Sequence, residues 1–145
     1  MHAADFIETY PDMVDGATCA AIVRRMRDSD ALQPGRVGSG VFPELKRSRD
    51  LSLVNRPEWQ DVDLLLQQAV FAGLLRYLRR YPQALISPLM LQHQSPDGTT
   101  RRLQADDVAA MDDAAVADLA RACLRPGAVN LQWYPAGEGG YPDWH

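Results

Sequence analysis

The longest regular pattern of apolar positions lies between Asn55 and Tyr81 and predicts a helix. Apolar or small residues recur there every three or four positions over about five turns, which is the spacing of one helix face. Pro57 suits the first helical turn, and Asn55 with Glu58 resembles a capping box. The face that this helix would bury against a sheet consists of Val62, Leu65, Leu66, Ala69, Gly73, Leu74, Tyr77 and Tyr81.

A second helix is predicted over residues 16–29, where Asp15 has the character of an N-cap. Its narrow apolar stripe comprises Cys19, Ile22, Val23 and Met26. The arginines Arg24, Arg25 and Arg27 fall mostly on the opposite face, close to the negative end of the helix dipole. We interpret them as a solvated helix surface and not as an anion site.

A third helix is predicted at about residues 105–124, and Pro126 with Gly127 would end it. Its first half is acidic and its end is basic, which complements the helix dipole. The acidic residues are Asp106, Asp107, Asp112 and Asp113. They lack the alternate spacing and central glycine of a calcium loop, so we interpret them as residues of a helix start.

Shorter alternating patterns predict strands at residues 6–10, at residues 46–54 around Leu51 and Leu53, and at residues 128–134. An apolar run near residue 88 is an optional strand before a turn at 96–98, and residues 31–40 are predicted as a loop. The chain thus alternates strands and helices in one domain, residues 1–145, an α+β arrangement. It has too few strands for a two-layered sheet core.

The overall composition excludes several classes of function. The sequence has 15 basic and 19 acidic residues, a formal net charge of −4, which argues against a nucleic-acid surface or a polybasic membrane anchor. The first residues lack the basic start and apolar run of a secretory signal, so we expect none. No apolar stretch approaches membrane-spanning length, so we expect a cytoplasmic protein without a membrane or nucleic-acid partner. Cys19 and Cys123 are predicted to be buried thiols in a reducing compartment.

The candidate chemistry lies in the last segment, NLQWYPAGEGGYPDWH. Val129, Leu131 and Trp133 alternate with polar neighbours, and the glycines that follow predict a tight reversal into a second strand. Such a hairpin would bring His145 near Gln132 and Tyr134, a set suited to a first-row transition metal. Alone, a single histidine is more often a packed or surface residue, and His2 and His93 have no ligand spacing to it.

This segment resembles the first iron-ligand segment of the Fe(II)/2-oxoglutarate-dependent dioxygenases of the prolyl 4-hydroxylase-like superfamily. The shared pattern is a strand ending in tyrosine, a proline, a glycine-rich turn, a second tyrosine and a histidine. The matching positions are Tyr134, Pro135, Gly137, Gly139, Gly140, Tyr141 and His145. The resemblance implies a double-stranded β-helix of the jelly-roll or cupin-like type, with a helical support region at about 1–127 and the first core strands at about 128–145.

The resemblance also implies a ligand set. His145 would be the first iron ligand, Tyr134 would hydrogen-bond 2-oxoglutarate, and Gln132 would face the same cavity. Tyr141 and Trp144 would line the substrate pocket. The implied cofactors are Fe(II) and the co-substrate 2-oxoglutarate, with ascorbate as a further candidate, and the implied substrate is a small molecule or a peptidyl residue. Substrate identity and oligomeric state are left open.

The sequence departs from the family pattern after His145. The acidic ligand, the distal histidine and the basic residue that binds the keto acid have no counterpart, nor do the remaining strands. We therefore expect an N-terminal portion of such an oxygenase, inactive as a truncated chain. Two alternatives stay open: a non-catalytic helical protein-interaction module on the same scaffold, and a metal-dependent cupin enzyme that does not use 2-oxoglutarate.

Overall fold

The computed structural model of the chain describes residues 6–94 and 97–142. The helices are α1 (Gly16–Arg27), α2 (Gln60–Arg80), α3 (Gln83–Leu89), α4 (Ala105–Ala110) and α5 (Asp113–Cys123). The strands are β1 (Gln33–Pro34), β2 (Arg49–Ser52), β3 (Gln92–Gln94), β4 (Thr100–Arg102) and β5 (Asn130–Trp133). The predicted α+β class is confirmed, with small antiparallel sheets. Within the described ranges, no helix is both long enough and apolar enough to cross a membrane.

The chain divides into two compact units, which we call the sheet unit and the helical unit. The sheet unit comprises residues 14–67 and 127–145, and the helical unit comprises residues 1–13 and 68–126. Helix α2 contributes residues to both units, because the boundary falls after Gln67. The candidate site residues that the structure describes all belong to the sheet unit.

The sheet unit is built on a three-stranded antiparallel sheet with the order β1-β2-β5. In β2, Leu51 is 1% exposed and Leu53, which follows the strand, is 4% exposed, so the predicted alternation is confirmed. In β5, Leu131 and Trp133 are half-buried and pack on the same core. The other members of this core are Ile22, Met26, Ala31, Leu32, Trp59, Val62, Leu66 and Val129. One face of the sheet is therefore apolar and covered.

Helix α1 begins at the predicted N-cap. Asp15 accepts hydrogen bonds from the Thr18 backbone N–H at 2.9 Å and from the Thr18 hydroxyl at 2.6 Å. The predicted arginine surface is exposed. The prediction that Cys19 is buried is wrong, because the core covers only the C-terminal half of the stripe, around Met26. Cys19 lies two turns earlier on nearly the same side, beyond that core, whereas Cys123 is half-buried in the helical unit.

The start of the long helix differs from the prediction. Pro57 opens a short 3₁₀ turn that ends at Trp59, and α2 follows from Gln60. Asn55 has a φ of 56°, in the left-handed region, whereas an N-cap residue needs extended backbone. The predicted capping box of Asn55 and Glu58 is therefore wrong. The place of Pro57 in the first turn is confirmed.

The residues predicted as a loop at 31–40 include the short edge strand β1. Pro34 can occupy an edge strand because the ladder bonds there need no N–H from it. The next residue, Gly35, donates its N–H to the Ser48 carbonyl at 2.9 Å. The loop prediction is therefore wrong for β1, and the strand continues the sheet on the far side of β2.

The helical unit packs the C-terminal part of α2 with α3, α4, α5 and the β3–β4 hairpin. The predicted helix at 105–124 is broken in two, because Met111 has extended backbone and Asp112 caps α5 through the Ala115 N–H at 2.8 Å. The helix-start interpretation of the aspartates is confirmed for Asp107, which forms a capping box with Gln104. The apolar run near residue 88 lies in α3. The optional strand follows the run and is β3.

The segment predicted as a strand at residues 6–10 is irregular. Its polar groups bond to side chains at the end of α2: the Phe6 carbonyl accepts from the Tyr77 hydroxyl at 2.9 Å. Glu8 accepts from the Tyr81 hydroxyl at 2.7 Å and pairs with Arg80 at 2.9 Å. The strand prediction is wrong because these contacts take the place of a strand ladder.

Candidate functional site

The face of β2 opposite the core carries a row of polar side chains that are unusually buried for a sheet surface. Lys46 is 6% exposed and Ser48 is 8% exposed, while the Asp50 side chain retains 23%. The Lys46 ammonium donates to Asp50 Oδ2 at 2.8 Å. The Ser48 hydroxyl donates to Asp50 Oδ1 at 2.7 Å. Both carboxylate oxygens therefore have a fixed donor.

Two predicted site residues join this row: Gln132 in β5 and Tyr134, which follows the strand. Gln132 lies directly opposite Asp50 in the antiparallel register. The Gln132 Nε2 donates to Asp50 Oδ2 at 3.4 Å, and the Tyr134 hydroxyl donates to Gln132 Oε1 at 3.4 Å. The prediction that Gln132 and Tyr134 share one polar row therefore agrees with the structure, and both side chains are exposed. We call Lys46, Ser48, Asp50, Gln132 and Tyr134 the polar row.

Gly35 makes the buried end of the polar row possible. A Cβ on this residue would lie 2.1 Å from Ser48 Oγ and 3.1 Å from Lys46 Cε. The Lys46 stem and the Ser48 hydroxyl thus occupy the space that a side chain at position 35 would fill. Gly35 is also buried and continues the pairing with β2. The edge of the sheet is therefore shaped around these two side chains.

The charges in the polar row are balanced within it. Lys46 and Asp50 form an ion pair that is largely removed from water, which is tolerated because each charge has a close partner. Removing one partner of such a pair is more costly than removing both, because the remaining charge stays desolvated. The ion pair therefore holds the Asp50 carboxylate in one place beneath Gln132.

The glycine-rich segment after Tyr134 does not form the predicted hairpin. Trp133 pairs with Arg49, and Gly140 pairs with Arg47. Both pairs are antiparallel, and both partners belong to the segment in which β2 begins. The chain therefore leaves the ladder after Trp133, makes a closed loop and returns to the same edge in the same direction. The tight reversal is wrong for the described residues, because a hairpin requires its two flanking strands to pair with each other.

Contacts made by Gly139 and by Arg47 explain this loop. The Gly139 N–H donates to the Pro135 carbonyl at 2.7 Å, and a Cβ on Gly139 would lie 2.7 Å from backbone atoms of Tyr134 and Pro135. The loop thus folds back on its own backbone. Arg47 secures the far end through its main-chain pair with Gly140 and by donating from Nε to the Glu138 carbonyl at 2.7 Å.

The remaining predicted site residues lie at or beyond the end of the described chain. Tyr141 is half-buried and follows directly on the Arg47–Gly140 pair. Trp144 and His145 lie outside the described residues, so their predicted roles stay predictions. Among residues 6–94 and 97–142, no group of three or more histidine, cysteine, aspartate or glutamate side chains could hold a metal ion.

Sequence reasoning did not assign a role to Lys46, Ser48 or Asp50. Their spacing nevertheless indicated a common face, because they occupy every second position before Leu51 and Leu53. Period-two alternation places them on the face opposite the leucines, which is the face that Gln132 occupies on the neighbouring strand. Only the register of β2 against β5 shows that they meet.

The polar row differs from the cavities of the sheet unit. A surface cavity of about 410 Å³ is lined by residues around Pro57, and another of about 240 Å³ is lined by α1 and the start of α2. Neither is lined by a member of the polar row. The polar row is therefore separate from these two cavities.

Comparison with known proteins adds no relative. No protein-family model, no curated protein and no solved structure matches this chain. Interpretation of the site therefore rests on its own chemistry and on the resemblance of the segment that ends at His145.

Proposed function

We propose that this chain supplies part of the active site of an Fe(II)- and 2-oxoglutarate-dependent oxygenase, a hydroxylase of the prolyl 4-hydroxylase-like type. The observation that supports the proposal is that Gln132 in β5 and Tyr134, the residue directly after β5, are both exposed and lie within 3.4 Å of each other. These are the residues that the family resemblance associates with the keto acid. In this proposal β2 and β5 are the first strands of the double-stranded β-helix, and the polar row faces its interior.

The exposed part of the polar row suits a ligand rich in hydrogen-bond acceptors. The Tyr134 hydroxyl and the Gln132 amide are neutral donors, and a carboxylate or carbonyl oxygen accepts from both types of group. The ligand of this class is 2-oxoglutarate, which presents two carboxylates and a keto oxygen. Tyr134 and Gln132 would bind and orient it.

The metal part of the proposal rests on the terminal segment alone. The described residues offer no metal-ligand set, and His145, the proposed first iron ligand, lies outside them. When bound, iron and the keto acid supply the oxidising chemistry of this family. The residues of the polar row would hold the co-substrate.

The test is succinate release from 2-oxoglutarate with added Fe(II), measured on the product of the complete reading frame that contains residues 1–145. We expect His145→Ala to reduce turnover by at least about 100-fold, because it removes a metal ligand. Tyr134→Phe should raise the KM for 2-oxoglutarate several-fold. Ser52→Ala, on the same face of β2, is the matched control and should change neither value. Absence of Fe(II)-dependent turnover in the parent protein would overturn the proposal.

The isolated 145-residue polypeptide provides a second arm of this test. Because it contains only the first proposed ligand, we expect no succinate release from it under the same conditions. Clear turnover would contradict the ligand assignment, since the necessary metal site would then have to exist within residues 1–145.

A second candidate function is a non-catalytic interaction module. Leu64 is 51% exposed and Val70 is 71% exposed on α2, so this helix presents apolar side chains to a partner. Size-exclusion chromatography with light scattering separates the candidates. For the product of the complete reading frame, a stable monomer that binds neither Fe(II) nor 2-oxoglutarate would favour the interaction module and contradict the oxygenase.

A further inference from the structure

We propose that Asp50 is a positioning residue, whose carboxylate fixes the Gln132 side-chain amide and thereby directs the Tyr134 hydroxyl. The proposal rests on the proposed function for the identity of the ligand, 2-oxoglutarate. It adds a residue to which neither the terminal segment nor its family resemblance gives a role. Asp50 would act through Gln132 and would not itself contact the ligand.

The Asp50 carboxylate is held rigidly. Lys46 and Ser48 donate to different oxygens at 2.8 and 2.7 Å, and both donors are more than nine-tenths buried. A carboxylate with a charged and a neutral donor cannot turn without losing one of the two bonds. Asp50 therefore presents a fixed negative charge beneath the side chain on the neighbouring strand.

This charge determines the orientation of the Gln132 amide. An ionised carboxylate only accepts hydrogen bonds, so the amide must turn its NH₂ group toward Asp50. Nε2 lies 3.4 Å from Asp50 Oδ2 in that orientation. A flipped amide would place Oε1 against the carboxylate, two acceptors facing each other. The preferred orientation thus follows from charge and dipole, even though the bond itself is long.

The oriented amide in turn arranges the groups that meet a ligand. Gln132 Oε1 faces Tyr134 and accepts from its hydroxyl at 3.4 Å. Since a bond of this length is weak, an approaching ligand oxygen can replace Oε1 as the acceptor of the Tyr134 proton. The second N–H of Gln132 remains available beside it. Asp50 therefore organises two adjacent donors for an acceptor-rich ligand before that ligand arrives.

The first arm of the experiment observes the amide directly. In the ¹⁵N-labelled product of the complete reading frame, we expect the Gln132 side-chain NH₂ resonances to be shifted from those of a free glutamine and their hydrogen exchange to be slowed. Asp50→Ala should move these resonances to the positions of a free glutamine and remove the slowed exchange. Ser52→Ala should leave them unchanged, because Ser52 lies on the same face without contacting Gln132 through its hydroxyl.

The second arm measures 2-oxoglutarate binding by calorimetry with Mn(II) as a redox-inert metal. Asp50→Ala should raise the Kd about two- to tenfold, the range expected when one neutral hydrogen bond loses its geometry. The variant Asp50→Asn keeps the shape of the side chain and removes the negative charge that orients the Gln132 amide. It should therefore raise the Kd in the same direction as Asp50→Ala.

The outcomes separate the two proposals. If the parent protein binds 2-oxoglutarate and Asp50→Ala binds it equally well with an unchanged amide, the positioning role is wrong and the proposed function stands. If the parent protein does not bind 2-oxoglutarate, the proposed function and the ligand of this inference are both overturned. Shifted Gln132 amide resonances together with weakened binding in both Asp50→Ala and Asp50→Asn support the inference.

Discussion

The backbone N–H of Gly35 donates to the Ser48 carbonyl at 2.9 Å, and the Ser48 hydroxyl occupies the space where a Cβ of residue 35 would be. We predict that Gly35→Ala forces this hydroxyl to rotate away from Asp50. The expected loss is one hydrogen bond, about 1 kcal/mol in the free energy of unfolding. Urea denaturation measures it.

Gly127→Ala is the control for that experiment. A Cβ on Gly127 would have no heavy atom within 4 Å, and its φ is not in the left-handed region, so we expect a change within about 0.5 kcal/mol. Equal stability losses in the two variants would show that steric contact with Ser48 is not the cause.

A larger effect is predicted at Gly139. Here the added Cβ would meet backbone atoms of Tyr134 and Pro135 at 2.7 Å, and backbone cannot rotate away as a hydroxyl can. Gly139→Ala should open the loop and cost about 1 to 3 kcal/mol. In the unsubstituted protein the Gly139 N–H donates to the Pro135 carbonyl. The backbone amide of residue 139 should therefore exchange faster in the variant. An unchanged exchange rate would contradict the closed loop.

Arg79 holds together the break between α4 and α5. Its guanidinium donates to the carbonyls of Val108 at 3.1 Å and Met111 at 2.7 Å, and it pairs with Asp113 at 2.7 Å. We predict that Arg79→Ala lowers the free energy of unfolding by about 1 to 3 kcal/mol, because the carbonyls lose a charged donor. Thermal unfolding of the variant measures the loss.

The matched control is Arg76→Ala, on the same helix and exposed. The Arg76 guanidinium contacts Met13 Sδ at 3.6 Å, so its removal should cost much less. Arg79→Lys should recover only part of the stability, since an ammonium cannot reproduce the planar arrangement of donors. Full recovery by lysine would show that charge alone matters at this position.

The stability of the helical unit should depend on pH through Asp107. The two hydrogen bonds from Arg101, at 2.6 and 2.7 Å, and the Gln104 N–H hold the pKa of Asp107 well below its usual value of 3.8. A lowered folded-state pKa stabilises the fold above the unfolded-state value and loses this effect as pH falls below it. Melting temperatures should therefore fall below about pH 4.

Asp107→Asn removes the titrating group and should flatten this acid dependence, at the cost of lower stability at pH 7. The control is Asp106→Asn, because Asp106 is exposed at the same helix start. This variant should retain the acid dependence of the unsubstituted protein. An unchanged profile in Asp107→Asn would assign the acid sensitivity to other carboxylates.

The fold could be predicted from the sequence where local periodicity decides it. Alternation identified β2 and β5, and the apolar repeat identified α2, because burial on one face imposes these periods. It could not predict the break at Met111, since that depends on Arg79, which is distant in sequence. The irregular segment at residues 6–10 has the same cause: side chains at the end of α2 take its hydrogen bonds.

The candidate site could be predicted only in part for a similar reason. Gln132 and Tyr134 stand two positions apart in one strand, so their common face follows from the sequence. Asp50 meets Gln132 through the pairing of two strands that are far apart in the chain, and no local pattern fixes that register. The hairpin prediction failed because the partner of Gly140 is Arg47 and not a residue of β5.

The closed loop between Trp133 and Gly140 has a consequence for how this protein can vary. Because Arg49 and Arg47 anchor the two ends separately, the number of residues between Tyr134 and Gly140 can change without shifting either anchor. Lengthening or shortening this loop would not change which side chains of β5 and of residues 140–142 face the core. The loop at this edge of the sheet can therefore change in length while the polar row keeps its alignment.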